Sequence, residues 1–206
     1  MPAMQLFHTS TSPFVRKVMV VAHELGLADR ITTEFLRPVP TSADARLSAT
    51  NPLSKIPALV RDDGTALYDS SVICEYLCSL VPTQTLLPAA GEPRWQVLRR
   101  QALASGMLDA GILIFQEGHL RPEPLRWTDW TAGQGAKVRQ ALDALEREVP
   151  HFGGGFDLGH IAVACAFGWL EFRSVVGDLR VERPRLSSWY DAVLARPSMQ
   201  ATLPRV

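Results

Sequence analysis

The apolar periodicity of this chain changes character once, near Val81, and that change limits the folds open to it. Before it, two-residue alternation and helical spacing take turns. Met4, Leu6 and His8 alternate, as do Ile31, Thr33 and Phe35. Between them Phe14, Val18, Val21 and Leu25 recur at helical spacing, and Gly26 is placed to end that helix. Ala58–Val60 and Ala66–Tyr68 read as short strands around the turn Asp62-Asp63-Gly64. Val72, Ile73, Tyr76, Leu77 and Leu80 then mark one more amphipathic helix. The order is strand, helix, strand, irregular segment, strand, strand, helix. A strand–helix–strand crossover joins parallel strands, and a hairpin adds antiparallel ones. A small mixed sheet of four strands with helices on its faces follows, which is an α/β domain.

After Val81 the strand signal nearly vanishes. Residues 83–90 read as a linker between a first domain at 1–82 and a second at 91–206. Arg94 to about Glu117 is expected as a long helix, with Leu98, Ala102, Ser105, Ile112 and Phe115 near one stripe. Arg121 to Trp130 reads as a loop, and Val138, Leu142, Leu145 and Val149 mark a further helix. Gly153, Gly154 and Gly155 form a turn. His160 to Val176 is apolar on nearly all sides and is expected at the centre of an all-α bundle, followed by a helix from Leu186 to Ala195.

Composition narrows the function. The 206 residues suit one or two domains with a core that needs no disulfides. An apolar fraction of 47% with 20% charged residues excludes a disordered or collagen-like chain. Lys plus Arg and Asp plus Glu both number 21, so the basic excess of a nucleic-acid binder is missing. The longest apolar stretch, Ile161 to Leu170, falls short of the roughly 20 residues of a membrane span. No secretory leader is read in the first ten residues. Cys74, Cys78 and Cys165 lack a CxxC spacing and are expected as packed free thiols in a reducing cytoplasm.

Three segments can carry chemistry. Thr9-Ser10-Thr11-Ser12-Pro13-Phe14 runs from a strand into a helix. Pro13 suits the first helical position and Ser12 the N-cap. The same helix start, with free N–H groups and a hydroxyl, is also a place for an anion or a thiolate. In Asn51-Pro52-Leu53-Ser54-Lys55-Ile56-Pro57 a proline precedes a strand. A trans proline would simply open an edge strand. A cis one would turn the Ile56 main chain outward to pair with an extended peptide. In Tyr68-Asp69-Ser70-Ser71-Val72-Ile73 either Asp69 or Ser70 can cap the next helix. Alternatively, Ser70 and the helix start hold a ligand carboxylate while Asp69 pairs with its ammonium.

In this order and spacing the three segments resemble the cytosolic glutathione transferase superfamily, and the Ser-Pro-Phe form is most similar to its serine-type bacterial and plant branches. The likeness continues through Asp157-Leu158-Gly159-His160-Ile161-Ala162, similar to the family's N-capping segment, and Arg196-Pro197-Ser198-Met199, similar to its usual ending. It implies a thioredoxin-like first domain, an all-helical second domain, a homodimer with the Cys74 and Arg94 helices at its interface, and glutathione as cosubstrate without a metal. It assigns Ser12 to thiol activation, with Thr9, Ser10 and Thr11 as neighbouring hydroxyls able to take that role. It places Lys55 near the glycine carboxylate, Ile56 against the cysteinyl unit, Pro57 as the family's cis-proline, and Asp69 with Ser70 at the γ-glutamyl end. Position 12 is not cysteine, which argues against the disulfide-exchange branches, and His160 stands where the capping segment usually carries an acid.

A free thiol has a pKa of about 8.5, and lowering it by about 2 units takes roughly 2.7 kcal/mol. One charge-assisted hydrogen bond of about 1.5–3 kcal/mol plus a helix N-terminus of about 0.3–1 kcal/mol supplies that. The expected activity is transfer of the sulfur to a small hydrophobic electrophile. A regulatory glutathione binder and a glutathione-dependent peroxidase or lyase are the alternatives. Phe14, Met107, Asp109, Ile112 and Phe115 are candidate electrophile contacts, against the plainer reading of Met and aromatic residues as core. The five histidines show no metal-ligand spacing.

Overall fold

The computed structural model describes residues 4–204. The sheet has four strands, β1 (Met4–His8), β2 (Ile31–Phe35), β3 (Ala58–Val60) and β4 (Ala66–Leu67), in the order β2-β1-β3-β4. β2 runs parallel to β1, β3 antiparallel to β1 and β4 antiparallel to β3. This is the mixed sheet expected from one crossover and one hairpin. Helix α1 (Pro13–Glu24) makes the crossover and buries Val15, Val18, Val21 and Ala22. It ends where Gly26 takes φ +67°, with the Leu27 N–H donating to Ala22 O at 2.8 Å.

Two local features depart from the sequence expectation. The stretch read as irregular holds a short helix, α2 (Ala45–Thr50), capped by Asp44, whose Oδ1 accepts from the Arg46 and Leu47 amides at 2.9 Å each. Leu47 is its single buried residue, joining a cluster of Phe7, Leu36 and Ala58, so no apolar period could announce it. β4 stops at Leu67 rather than Tyr68, whose ring is exposed. Helix α3 (Ser70–Ser79) follows, burying Ile73, Cys74, Leu77 and Cys78.

The rest is helical: α4 (Gly91–Leu120), α5 (Thr128–Glu148), α6 (Leu158–Arg173), α7 (Leu179–Glu182), α8 (Pro184–Leu194) and α9 (Pro197–Ala201). Every residue of α6 from Leu158 to Leu170 is buried, which confirms it as the centre of the bundle. It starts two residues before, and ends three before, the expected bounds, at Ser174 in the left-handed region with φ +49°. The long helix α4 buries Val97, Arg100, Gln101, Ala104, Met107, Leu108 and Gly111. The expected stripe through Leu98, Ala102, Ser105, Ile112 and Phe115 is therefore rotated from the true one, because buried polar residues disguise the inward face.

Of these, Arg100 is paired, whereas the buried Gln101 Oε1 has no hydrogen-bond partner among the described residues. Arg100 Nε donates to Glu148 Oε1 at 2.7 Å, and the exposed Arg99 reaches the same oxygen at 2.6 Å. The Arg100 guanidinium lies 5.0 Å from the Phe152 ring centroid. Burial pushes the Glu148 carboxyl up, but the hydrogen bonds from Arg100 and Arg99 outweigh it and hold the group below its ordinary value. At the start of α6 the reciprocal cap forms despite the histidine: Asp157 Oδ1 accepts from the His160 N–H at 2.9 Å, and the Asp157 N–H donates to His160 Nδ1 at 3.2 Å.

The chain divides into two compact units. One holds the residues up to Ala89 and again from Pro197 onward, and the other is Ala90–Arg196. The helical unit thus stops at Arg196 instead of running through 206, because α9 packs back on α1. Arg16 Nη2 donates to Met199 O at 3.2 Å, and Ser198 Oγ hydrogen-bonds Glu24.

Candidate functional site

Strand register brings the three motif segments to one end of the sheet. Phe7 pairs with Ala58, so the turn after His8 lies beside residues 56 and 57. Leu59 pairs with Leu67, so Tyr68 and Asp69 leave the hairpin at that same end. β2, being parallel to β1, ends there too, with His8 opposite Phe35. Two helices begin at this edge, α1 after β1 and α3 after β4, and present their N-termini to it.

Ser12 is the N-cap of α1. Its Oγ accepts from the Val15 N–H at 3.3 Å and it is half-buried, with Pro13 at the first helical position. That leaves the hydroxyl proton available, since a serine oxygen can accept and donate at once. Thr9 and Thr11 are half-buried and Ser10 is exposed in the turn before it. Burial holds the His8 imidazole below its ordinary value, against a hydrogen bond with the Thr9 main chain.

The Ile56–Pro57 bond is cis, as is Tyr68–Asp69. Ile56 lies outside the β1–β3 ladder, and its main-chain amide and carbonyl make no hydrogen bond among the described residues. Lys55 is exposed. The loop is set by Asn51, which is 2% exposed: its Nδ2 donates to Lys55 O at 2.8 Å and its Oδ1 accepts from the Leu53 N–H at 3.1 Å. Asp69, not Ser70, caps α3, with Oδ1 accepting from the Ser71 N–H at 2.8 Å. Ser70 is buried in the first turn.

The candidate electrophile contacts are dispersed by burial. Phe14 is half-buried on α1. In the helical unit Met107 is interior at 2% exposure, the core reading of that residue. Asp109 is exposed, and Ile112 and Phe115 are half-buried. Phe115 stacks on His119 at 4.0 Å and meets the edge of Trp169 at 6.1 Å. A concavity of about 490 Å³ between α4 and α5 is lined by Arg99, Arg100, Arg147 and Glu148 among others, and internal ion pairs cross its floor.

Comparison with known proteins decides the family. Residues 11–80 match the glutathione S-transferase N-terminal domain model and residues 128–192 the C-terminal one. An uncharacterized GST-like protein of Escherichia coli, YibF, is 35% identical over 98% of both chains. The chain belongs to the glutathione S-transferase family. Maize glutathione S-transferase 3 is a more distant member, 29% identical over 98% of this chain and 94% of its own. Among solved transferase structures, a Pseudomonas fluorescens family member with bound glutathione superposes with a TM-score of 0.96 at 43% identity, covering 99% of this chain and 100% of its own. A second structure from that organism, with bound S-(propanoic acid)-glutathione, gives 0.91 at 41% identity over 98% and 100%. A Methylobacillus flagellatus transferase with glutathione bound gives 0.88 at 35% over the same shares.

Two residues in or near the motif segments have places in the structure that the sequence does not announce. Asn51 opens the second motif segment without a role of its own in the sequence reading, though Asn before Pro signals a side chain that folds back on its own main chain. Lys17 carried no signal at all: a lysine in an amphipathic helix reads as solvated, yet this one is buried.

Proposed function

We propose that this chain binds glutathione at the shared edge of its sheet and transfers the sulfur to a small electrophile. The observation that carries this reading is the convergence of a helix-capping hydroxyl, an unpaired stretch of main chain and a second helix N-terminus at one strand edge. Ser12 donates its O–H to the thiolate while still accepting from Val15 N. The amide and carbonyl of Ile56 pair with the cysteinyl unit, and Lys55 sits at the glycine carboxylate. Asp69, one oxygen of which is taken by Ser71 N, offers the other to the γ-glutamyl ammonium, with Ser70 beside it. The thiolate attacks an electrophilic carbon, and the new C–S bond replaces a leaving group or a π bond. Bound glutathione in similar structures supports the first half of this reading, and the thioether in one of them is the type of product the second half makes.

The exposed Val72 on α3 and Trp95 on α4 support a two-fold dimer, since those are the helices that the family likeness puts at a subunit contact. Cys74, Cys78 and Cys165 are buried and form no disulfide among the described residues, which suits a reducing compartment. Among the described residues no helix is long and apolar enough to cross a membrane.

Calorimetric titration of the purified protein with glutathione, followed by conjugation assays over several electrophile classes, tests the proposal. Saturable binding with conjugation of at least one class is expected. Absence of binding refutes the site. Tight binding without conjugation of any class replaces the transferase reading with that of a glutathione-binding protein.

A further inference from the structure

Lys17 lies on α1 one turn beyond Phe14 and is 2% exposed. Its Nζ is sealed from water and has no hydrogen-bond partner. It stands 6.0 Å from the Phe14 ring centroid. Helical side chains lean toward the N-terminus, and the ring beside the ammonium belongs to Phe14, two residues after the Ser12 cap. The first turn of α1 carries no acidic residue. The other α1 charges are engaged elsewhere, Arg16 with Met199 O and Glu24 with Ser198. The elements packed on α1 bring Glu75 from α3, and Asp29 and Arg30 just beyond its C-terminal end, and none of them hydrogen-bonds the Lys17 ammonium. A buried cation without an acceptor opposes folding, and methionine would fill the same space at less expense.

We propose that Lys17 is a positioning residue for the bound thiolate: its buried charge adds to the helix N-terminus and raises the positive potential where the sulfur ionises. It acts through the field across a poorly screening interior, without touching the sulfur. This role rests on the transferase reading above.

The test compares wild type, Lys17→Met and Lys17→Arg as complexes with glutathione. The bound thiol is titrated by the ultraviolet absorbance of its thiolate over a pH range centred about 2 units below the free value of about 8.5 and extending past it. Lys17→Met is expected to raise the thiol pKa by about one unit, a roughly tenfold fall in the thiolate-to-thiol ratio at a given pH. Lys17→Arg is expected to restore it. The melting temperature of Lys17→Met should stay level or rise, the opposite of what loss of a packing residue would do. An unchanged thiol pKa in Lys17→Met overturns the role, and so does a raised pKa that Lys17→Arg fails to recover. If Lys17→Met does not fold, Lys17→Gln gives the same readout with a smaller polar side chain. Failure of the wild-type protein to bind glutathione overturns the transferase reading and this role together, whereas binding with an unmoved pKa overturns this role alone.

Discussion

Replacing Ser12 by alanine separates two jobs that one oxygen holds. As a cap, Oγ accepts from Val15 N at 3.3 Å, longer than the usual 2.9–3.0 Å, so its loss should sit at the low end of the about 0.5–2 kcal/mol range for N-caps. At about 0.5–1 kcal/mol a chain of this size loses only about 1–4 °C of melting temperature. As a donor to a thiolate, the same hydroxyl supplies about 1.5–3 kcal/mol, since the acceptor is charged. That converts to roughly a 10- to 150-fold loss of kcat/KM at neutral pH. Because the loss acts through ionisation of a thiol whose free pKa is about 8.5, it should shrink as the pH is raised past about 9. Ser12→Thr keeps a hydroxyl and serves as the control. The assay is conjugation rate against pH, with glutathione affinity measured alongside. A rate loss that persists unchanged at high pH would mean that Ser12 orients the ligand instead of ionising it. No loss at all would move the role to Thr9, Ser10, Thr11 or main-chain amides.

Two further perturbations concern the helical unit. Glu148 is 16% exposed and Arg100 7%, so Glu148→Gln should cost about 2–3 kcal/mol by leaving a buried guanidinium short of its partner, whereas Arg99→Ala, at 57% exposure, should cost under about 1 kcal/mol. Since the folded-state pKa of Glu148 is lowered, its contribution is complete above the unfolded value of about 4.3 and is lost as the pH falls through the lower folded value; urea melts of Glu148→Gln and wild type should converge in that acid range. Gly159→Ala would place a Cβ 2.9 Å from Val97 O and 3.0 Å from Arg100 Cβ, backbone-fixed atoms that cannot retreat, so a loss of about 1–3 kcal/mol is expected. Gly106→Ala meets nothing within 4 Å and should instead stabilise α4 by up to about 1 kcal/mol, both read from thermal melts.

Much of this fold was legible because it obeys simple periods. α3 buries one face and α6 buries all of them, so their patterns survive in the sequence. α4 defeats the same reading. Its inward face carries Arg100, Gln101 and Glu117 while Leu113 and Leu120 are exposed, so hydrophobicity and burial part company along it. α2 is too short and too polar to show a period, and only Asp44 at its cap betrays it. The motif segments were readable because caps and prolines have fixed positional chemistry. What sequence left open there, the isomer of Ile56–Pro57 and the choice between Asp69 and Ser70 as cap, depends on neighbours far along the chain. Lys17 was illegible for the opposite reason, since nothing local distinguishes a sunken ammonium from a hydrated one.

The return of α9 to α1 means that the sheet-bearing unit is assembled from two stretches of chain with the whole helical unit lying between them in sequence. On a ribosome, which delivers the amino end first, the strands and α1 emerge more than a hundred residues before Met199 and Ser198 arrive to cover α1. α9 therefore completes a unit whose strands were made well before it, and clipping the chain after Arg196 would wound the sheet-bearing half while leaving the helical one whole.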